Sequence, residues 1–569
     1  MKFLLRSAAR CTIAAFAALA TAAYAQSSAE IVLLVGKGEK RPTEQAAWAP
    51  AIVNEKVPAG GFVRTLVNSQ MGLYLPDRTQ IRLNQNSQLQ IKTIADAAQF
   101  TETSLRLNAG RAWSQAKPQA APPGADPNQA RVNIQTPTAT MGVRGTDWEI
   151  EIGPEGETQL VVLSGVVEMS NERGSLSVGA GQAALARAGV APVRLTLVNP
   201  ASRVQWVSSW RPEPKRWAGP DAGRHAQVIA RIESGDYVTA ASQLRPLAAT
   251  DSTAALLLAD VLLHQGDIGG AVDVLSPHRS STEPRVTSLL ARALARQDKM
   301  AEARAAVSAA LQRSPRSVEL LLAQGELAAL DGDAVASRAA YNAALAIEPR
   351  NAEAWYGVGL IESERENVRQ ARIALNEALR TDPQSSRANA ELAATETFAG
   401  NLEGARQLLE ALLAREPENY AALTSLGVYK LKSGQPKAAL DDFLKAGLIE
   451  PRYSRAWLYT GVAFYQLGET ARAVEAFGKA ALLDPHDPVP HVYQGIVLTD
   501  RLEYGAAIES ARNAQQRMPF LKSLNQVASD QKGSANIGTS LANFGLEEWA
   551  GYYAHEASTP YWGGSHLFL

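Results

Sequence analysis

The sequence predicts an all-β N-terminal domain followed by an all-α solenoid. Three observations carry this. Apolar residues between 30 and 198 alternate with a period of two, prolines beyond residue 300 recur at a fixed spacing of 34, and a Pro/Trp-rich stretch separates the two regimes.

In the first region Leu73 and Leu75, Ile81 and Leu83, then Leu89 and Ile91 are spaced by two, with Pro76-Asp77-Arg78-Thr79 as a turn. Trp148, Ile150 and Ile152 alternate with Asp147, Glu149 and Glu151. Such alternation marks strands with one buried and one wet face. The stretch between Gln115 and Ala130 is rich in Pro, Ala and Gln without periodicity, and is expected to be a loop.

Val63-Arg64-Thr65, Gly110-Arg111-Ala112-Trp113, Thr136-Pro137-Thr138-Ala139, Gly142-Val143-Arg144-Gly145-Thr146 and Gly179-Ala180-Gly181-Gln182 together resemble the FecR domain. The resemblance implies an extracytoplasmic β-domain over residues 30–198. The family's best-known members relay a signal from an outer-membrane receptor to a cytoplasmic sigma factor. Gly142, Arg144, Gly145 and Thr146 are the candidate motif residues. Arg144 could offer its guanidinium fork to a carboxylate or phosphate. Alternatively it ties a tight turn to nearby carbonyls, the reading we favour because fold motifs outnumber sites.

Beyond residue 223 the period changes. Pro315, Pro349, Pro383, Pro417, Pro451, Pro485 and Pro519 stand 34 residues apart, where a residue without N–H suits a break between helices. Gly325, Gly359, Gly427, Gly461 and Gly495 precede their prolines by 24 residues, and Ala371, Ala405, Ala439, Ala473 and Ala507 by 12. With Trp355, Trp457, Tyr341, Phe443 and Phe477 in the same register, this pattern resembles the tetratricopeptide repeat. It implies about nine helical hairpins over 224–521, seven of them regular. The intervening segment, 199–223, holds Pro200, Pro212, Pro214 and Pro220 with Trp206, Trp210 and Trp217, and is expected to be an irregular linker whose tryptophans pack the β-domain onto the first hairpins.

Residues 1–25 are expected to be a signal peptide: Lys2, Arg6 and Arg10 precede an apolar run from Thr12, and Ala23-Tyr24-Ala25 closes it as a cleavage site. That places the chain in the periplasm, possible association with the outer membrane included. It also disfavours sigma-factor signalling, because no cytoplasmic part would remain. The one cysteine, Cys11, lies inside the leader. Without Lys2, Arg6 and Arg10 the chain has 53 basic against 57 acidic residues, a balance that argues against nucleic-acid binding.

No constellation argues for an enzyme. His486 and His491 are separated by Pro488 and Pro490, which exclude a helical zinc spacing. The glycines of 153–156 and 179–181 lack a phosphate-loop lysine or a dinucleotide fingerprint. No catalytic, cofactor-binding or metal-binding residue is expected.

Binding is expected on the concave face of the repeats. Projecting the register puts Glu319, Glu326, Glu353 and Tyr356 early in the groove, and Val428, Leu431, Leu458, Val462, Tyr465, Val492 and Ile496 later. The groove would thus turn from acidic to apolar. The aromatic tail, 522–569, does not resemble a capping helix; it is expected to fold back on the apolar C-terminal repeats and resembles the lead-in of envelope proteins that continue into an outer-membrane barrel. The reading that follows is a non-catalytic periplasmic scaffold of the Gram-negative envelope. Its expected partners are proteins in the repeat groove, with polysaccharide or an outer-membrane barrel as further options. The alternatives are FecR-type signal sensing and the periplasmic part of an outer-membrane exporter.

Overall fold

The computed structural model describes residues 27–95, 102–116, 132–196, 206–207, 209–365, 367–517, 534–543 and 545–558. The expected signal peptide and most of the Pro/Ala/Gln loop lie outside them. The chain divides into two compact units, residues 1–200 and 201–569.

The first unit is one continuous sheet, with sixteen strands among the described residues. Its spine is a pair of long antiparallel strands, Thr140–Ile152 and Thr158–Asn171. The first changes partner along its length. Its beginning pairs with Val132–Gln135 and its end with Arg111–Gln115. The change falls where the ladder shifts register, between Arg144 and Asp147. Gly145 there has φ +62°, and Gly165 opposite has φ +77°, values that favour glycine. A Cβ on Gly165 would lie 2.5 Å from Cγ2 of Thr146. The Gly142–Thr146 motif is therefore a bulged strand, not a tight turn, and its glycines let one strand bend between two partners.

The apolar residues of the alternating runs form the core: Leu73, Leu75, Ile81, Leu83, Leu89, Ile91, Trp148 and Ile150 are all buried together. The expectation of a wet face at Asp147 and Glu149 is corrected. Both are buried. Asp147 accepts a hydrogen bond from Nε1 of Trp113 at 2.5 Å, and Glu149 pairs with Arg111. A buried carboxylate needs such partners, because an uncompensated charge is too costly to desolvate. The polar half of an alternation is thus covered here because Gly110-Arg111-Ala112-Trp113 supplies a donor for each acid.

The second unit is built of antiparallel helix pairs. The regular ones follow a common plan, as in Val318–Leu330 with Ala334–Ile347, or Ser454–Gln466 with Thr470–Leu483. Each periodic proline from Pro315 to Pro485 falls two residues past the end of a second helix. The residue before it, Ser314, Glu348, Asp382, Glu416, Glu450 or Asp484, leaves the helical region with φ near −130°. That is the steric effect of a following proline ring, and it ends the helix. Side chains of Ser317, Asn351, Ser385 and Asn419 then cap the next helix by accepting from a backbone N–H. Trp355 and Trp457 tie the new helix back, each donating its indole N–H to the carbonyl of the preceding proline at 2.9 Å.

Within a pair, the periodic glycine sits under the periodic large residue. A Cβ would meet Tyr341 at 2.8 Å from Gly325, Leu375 at 2.7 Å from Gly359, Phe443 at 2.3 Å from Gly427, and Phe477 at 2.5 Å from Gly461. The two helices can approach only because that side chain is missing.

Two departures from expectation stand out. Part of the segment read as an irregular linker is helical, Pro214–Ala218, with Pro214 in the first turn, where its missing N–H costs nothing. Part of the aromatic tail forms a further helix pair, Ser534–Asn543 and Glu547–Ser558. Ile537 and Leu541 pack on Ile508 and Ala511 of the preceding pair, so this element covers the end of the stack. It does so mainly with aliphatic residues; the half-buried Tyr553 packs on the same cluster, while Trp549 and Tyr552 remain exposed. Among the described residues, no helix is long and apolar enough to cross a membrane.

The glycine–aromatic joint gives a test. Phe477→Ala should destabilise the array by about 3–5 kcal/mol, and Gly461→Ala by about 1–3 kcal/mol through overpacking. In the Phe477→Ala background the Gly461→Ala cost should largely vanish, because the clash partner is gone. Additive costs in denaturant melts would contradict this packing.

Candidate functional site

The 34-residue period stacks equivalent residues of successive first helices into columns. One column reads Arg285, Glu319, Glu353, Arg387, Ala421 and Arg455; another reads Arg292, Glu326, Leu360, Ala394, Val428, Val462 and Ile496. Their side chains form the inner wall of the curled array. Arg292 is buried and lies 2.8 Å from Glu326, 3.1 Å from Glu353 and 3.8 Å from Glu319. Arg387 stacks over the ring of Tyr356, 4.4 Å from its centroid. Further along, Arg455 pairs with Glu391 at 2.9 Å and Glu364 at 3.2 Å.

Burial would raise the carboxyl groups of Glu326 and Glu353, yet the guanidinium charges of Arg292, Arg387 and Arg216 hold both below the usual carboxylate range. The acidic stretch expected from the sequence is thus charge-compensated. Two of the arginines that compensate it, Arg292 and Arg387, sit in the same columns as the acids, a signal that the projection of acidic and apolar positions alone left out.

The wall is also covered. Residues 206–207 and 209–218 run along it and bond to several repeats. Trp206 and Trp217 are buried; the backbone of Trp206 lies where a Cβ on Gly266 would stand 2.2 Å from its Cα, and Trp217 joins the core of the first hairpins. Trp210 donates its indole N–H to Asp260 at 2.9 Å, and the backbone N–H of Glu213 reaches the other oxygen of the same carboxylate at 2.8 Å. Arg296 lies over the Trp210 ring at 4.9 Å. Arg216 pairs with Glu353 at 2.8 Å and Glu319 at 3.1 Å. At the other end Arg211 reaches Glu416 and Glu418, both at 2.9 Å, and Ser209 binds Glu450 through its N–H and hydroxyl at 3.1 and 2.8 Å. These partners lie more than 200 residues away in sequence, so the array curls far enough to present its early and late repeats to one short segment. Arg452 closes the same turn directly, donating to Asp298 at 2.7 Å and to the carbonyl of Arg296 at 3.1 Å.

The late apolar positions are placed differently from an open groove. Leu458 and Val492 are wholly buried, and Val428, Leu431 and Val462 nearly so. They are packing residues of the stack. Ile496 packs on Val492 and Ala514. Tyr465 is half-buried, its hydroxyl bonded to Asp500, and Tyr356 is half-buried under Arg387. In the β-domain the candidate motif residues Gly142, Arg144, Gly145 and Thr146 occupy the bulged strand described above. Thr146 is buried, and Gly142 faces Glu168 across the ladder.

The buried Asp260 carries a pH signature. Burial pushes its carboxyl up to about 7, against the opposing hydrogen bonds from Trp210 and Glu213. A carboxyl raised in the folded state contributes stability that is fully present below its unfolded value near 4 and is lost as pH rises through about 7. The stability difference between the native chain and Asp260→Asn should therefore shrink as pH rises from 4 to 7, as read by urea melts. A difference independent of pH would contradict it. Separately, Arg292→Met, which takes from Glu326 its ion-pair partner and leaves Glu319 and Glu353 to Arg216, should cost about 3–5 kcal/mol. A loss under 1 kcal/mol would show that the wall does not rely on this pairing.

Comparison with known proteins agrees with the two architectures. The sequence profile of the FecR protein family matches residues 62–168. Two tetratricopeptide-repeat profiles match 288–349, 336–386 and 426–488, and 362–427. No curated protein matches the sequence. Among solved structures, the chain is similar to one in the APC/C hetero-tetramer Cut9-Hcn1, with 19% identity and TM-score 0.42, over 53% of this chain and 59% of that one. It thus spans less than two thirds of that relative. It is also similar to a tetratricopeptide repeat protein from Parabacteroides merdae, with 20% identity and TM-score 0.34, over 43% of this chain and 97% of that one. PilF of Pseudomonas aeruginosa matches with 22% identity and TM-score 0.29, over 37% of this chain and 92% of that one. The chain therefore carries a FecR domain followed by tetratricopeptide repeats.

Proposed function

We propose that this chain is an exported, non-catalytic scaffold of the Gram-negative envelope whose repeat array binds polypeptide partners on its inner wall. One observation carries the reading. The wall already holds an extended, proline-bearing piece of polypeptide, residues 209–214, through side chains of several repeats at once. Tetratricopeptide repeats generally mediate protein–protein interaction, and both kinds of module in this chain are non-catalytic. Export rests on the sequence of residues 1–25, and the FecR domain serves as a second recognition module in the same compartment.

Two measurements test this. Mass spectrometry of the cellular protein should find a mature N-terminus at Gln26, and a retained Met1 would defeat the export reading. A photo-crosslinking residue in place of Tyr465, near the inner wall, should give discrete protein adducts in living cells. The same residue in place of the exposed Ile373 should give none. Equal or absent adducts at both positions would defeat the scaffold reading.

A further inference from the structure

The segment on the wall is held unevenly. Its C-terminal half is fixed: Pro214, Trp217 and Ala218 are buried, and the carbonyl of Trp217 accepts from Arg285 at 2.9 Å. Between the buried Trp206 and Pro214, residues 209–213 are held by polar contacts, with the Arg211 pairs near the surface. Arg211 is half exposed, with a side-chain exposure of 52%, and Glu418 is partly exposed. Ion pairs of this kind are worth little, because water competes for both charges and two long side chains must be ordered. Arg211-Pro212-Glu213-Pro214 joins the halves, and the prolines keep it extended without any sheet or helix bonding. The deeper contacts of residues 209–213 are few: the Trp210 indole on Asp260, the Trp210 carbonyl on Nδ1 of His264, the Glu213 N–H on Asp260, and Ser209 on the buried Glu450, with Trp206 buried ahead of them.

We propose that residues 209–213 are an exchangeable internal ligand, and that the surface formed by Asp260, Glu416, Glu418 and Glu450 recognises an extended partner chain of the same chemistry. That partner would carry an arginine beside a tryptophan, followed by proline, and would bind by displacing the outer half while Trp217 keeps the inner half docked. The inference rests on the reading of the inner wall as a polypeptide-binding surface and adds what it reads and how it is closed. Glu416 and Glu418, which face Arg211, explain the partner's charge, while Asp260 and Glu450 accept from N–H and hydroxyl donors. Four acids converging on one extended chain select a guanidinium and indole or backbone N–H donors, and disfavour an acidic chain. Occupancy in cis lowers the apparent affinity for any partner by the fraction of time the surface is free.

The test uses the full chain and a fluorescent synthetic peptide with the sequence of residues 206–217. The triple variant Ser209→Ala/Trp210→Ala/Arg211→Ala should bind the peptide at least 10-fold more tightly than the native chain. Adding Glu416→Gln, Glu418→Gln and Glu450→Gln should lower that affinity at least 10-fold again. Arg211→Glu alone changes only a half-exposed side chain, so it serves if the triple variant does not fold, and should bind the peptide at least 5-fold more tightly than the native chain. Affinity unchanged in the variants that open the segment, or undiminished when the carboxylates are removed, would overturn the proposal. Because the cross-links at Tyr465 are read independently, a failed peptide experiment with those adducts intact would refute the exchange mechanism and leave the scaffold reading standing.

Discussion

A hairpin of two amphipathic helices cannot bury its own apolar faces, and everything in the helical unit follows from that constraint. Each pair borrows its neighbour's surface, so the same side-chain sizes must recur at the same positions. The missing Cβ of Gly325, Gly427 and Gly461 beneath Tyr341, Phe443 and Phe477 sets how closely helices approach. The proline after each second helix sets where the next pair begins. Repeating one geometry many times also repeats one rotation, so the array must curl. A tight curl has an inner wall with less room and less water than a flat surface.

That wall brings a second problem, the stacking of equivalent positions. A column of identical charges would repel along its length. Here Arg285, Glu319, Glu353, Arg387 and Arg455 share a column with both signs present, and Arg292 sits against Glu326 of its own column and against Glu353 across columns. Charge pairing makes the buried wall tolerable without making it strongly attractive, since the cost of removing charges from water offsets much of the gain. The remaining hydrogen-bonding capacity is met by residues 209–217, whose Arg216 and Trp217 complete the early part of the wall.

Much of this was legible in the sequence. The period of 34, the glycine and alanine positions and the turn prolines are sequence facts with one geometric solution. The alternating strands likewise identified the β-core through Leu73, Ile81 and Trp148. What escaped were contacts between residues distant in sequence. Asp147 and Glu149 look solvated by alternation alone, and only the pairing of their strand with Arg111–Gln115 shows that donors await them. The partners of the tryptophans of 206–217 within the repeats, Asp260, Gly266 and Arg292, lie far from them in sequence. Leu458 and Val492 project onto the groove by register but are covered, since register fixes a direction and not what lies above it. The start of the second tail helix was legible around Leu546-Glu547-Glu548-Trp549, but the first was not, because Ile537 and Leu541 are a single apolar pair in a polar, glycine-bearing stretch. The bulge at Gly145 could have been anticipated, since paired glycines inside long alternating strands often mark one.

The central claim is that the array's inner wall is occupied by its own chain. Hydrogen exchange of the native full-length protein addresses it directly, through the backbone N–H groups of Ser209, Glu213 and Trp217, which donate to Glu450, Asp260 and the carbonyl of Glu213. The account predicts strong protection at Trp217, comparable to the first hairpins, with intermediate protection at Glu213 and weaker but measurable protection at Ser209. Exchange of all three at the rate of an unstructured peptide would contradict it.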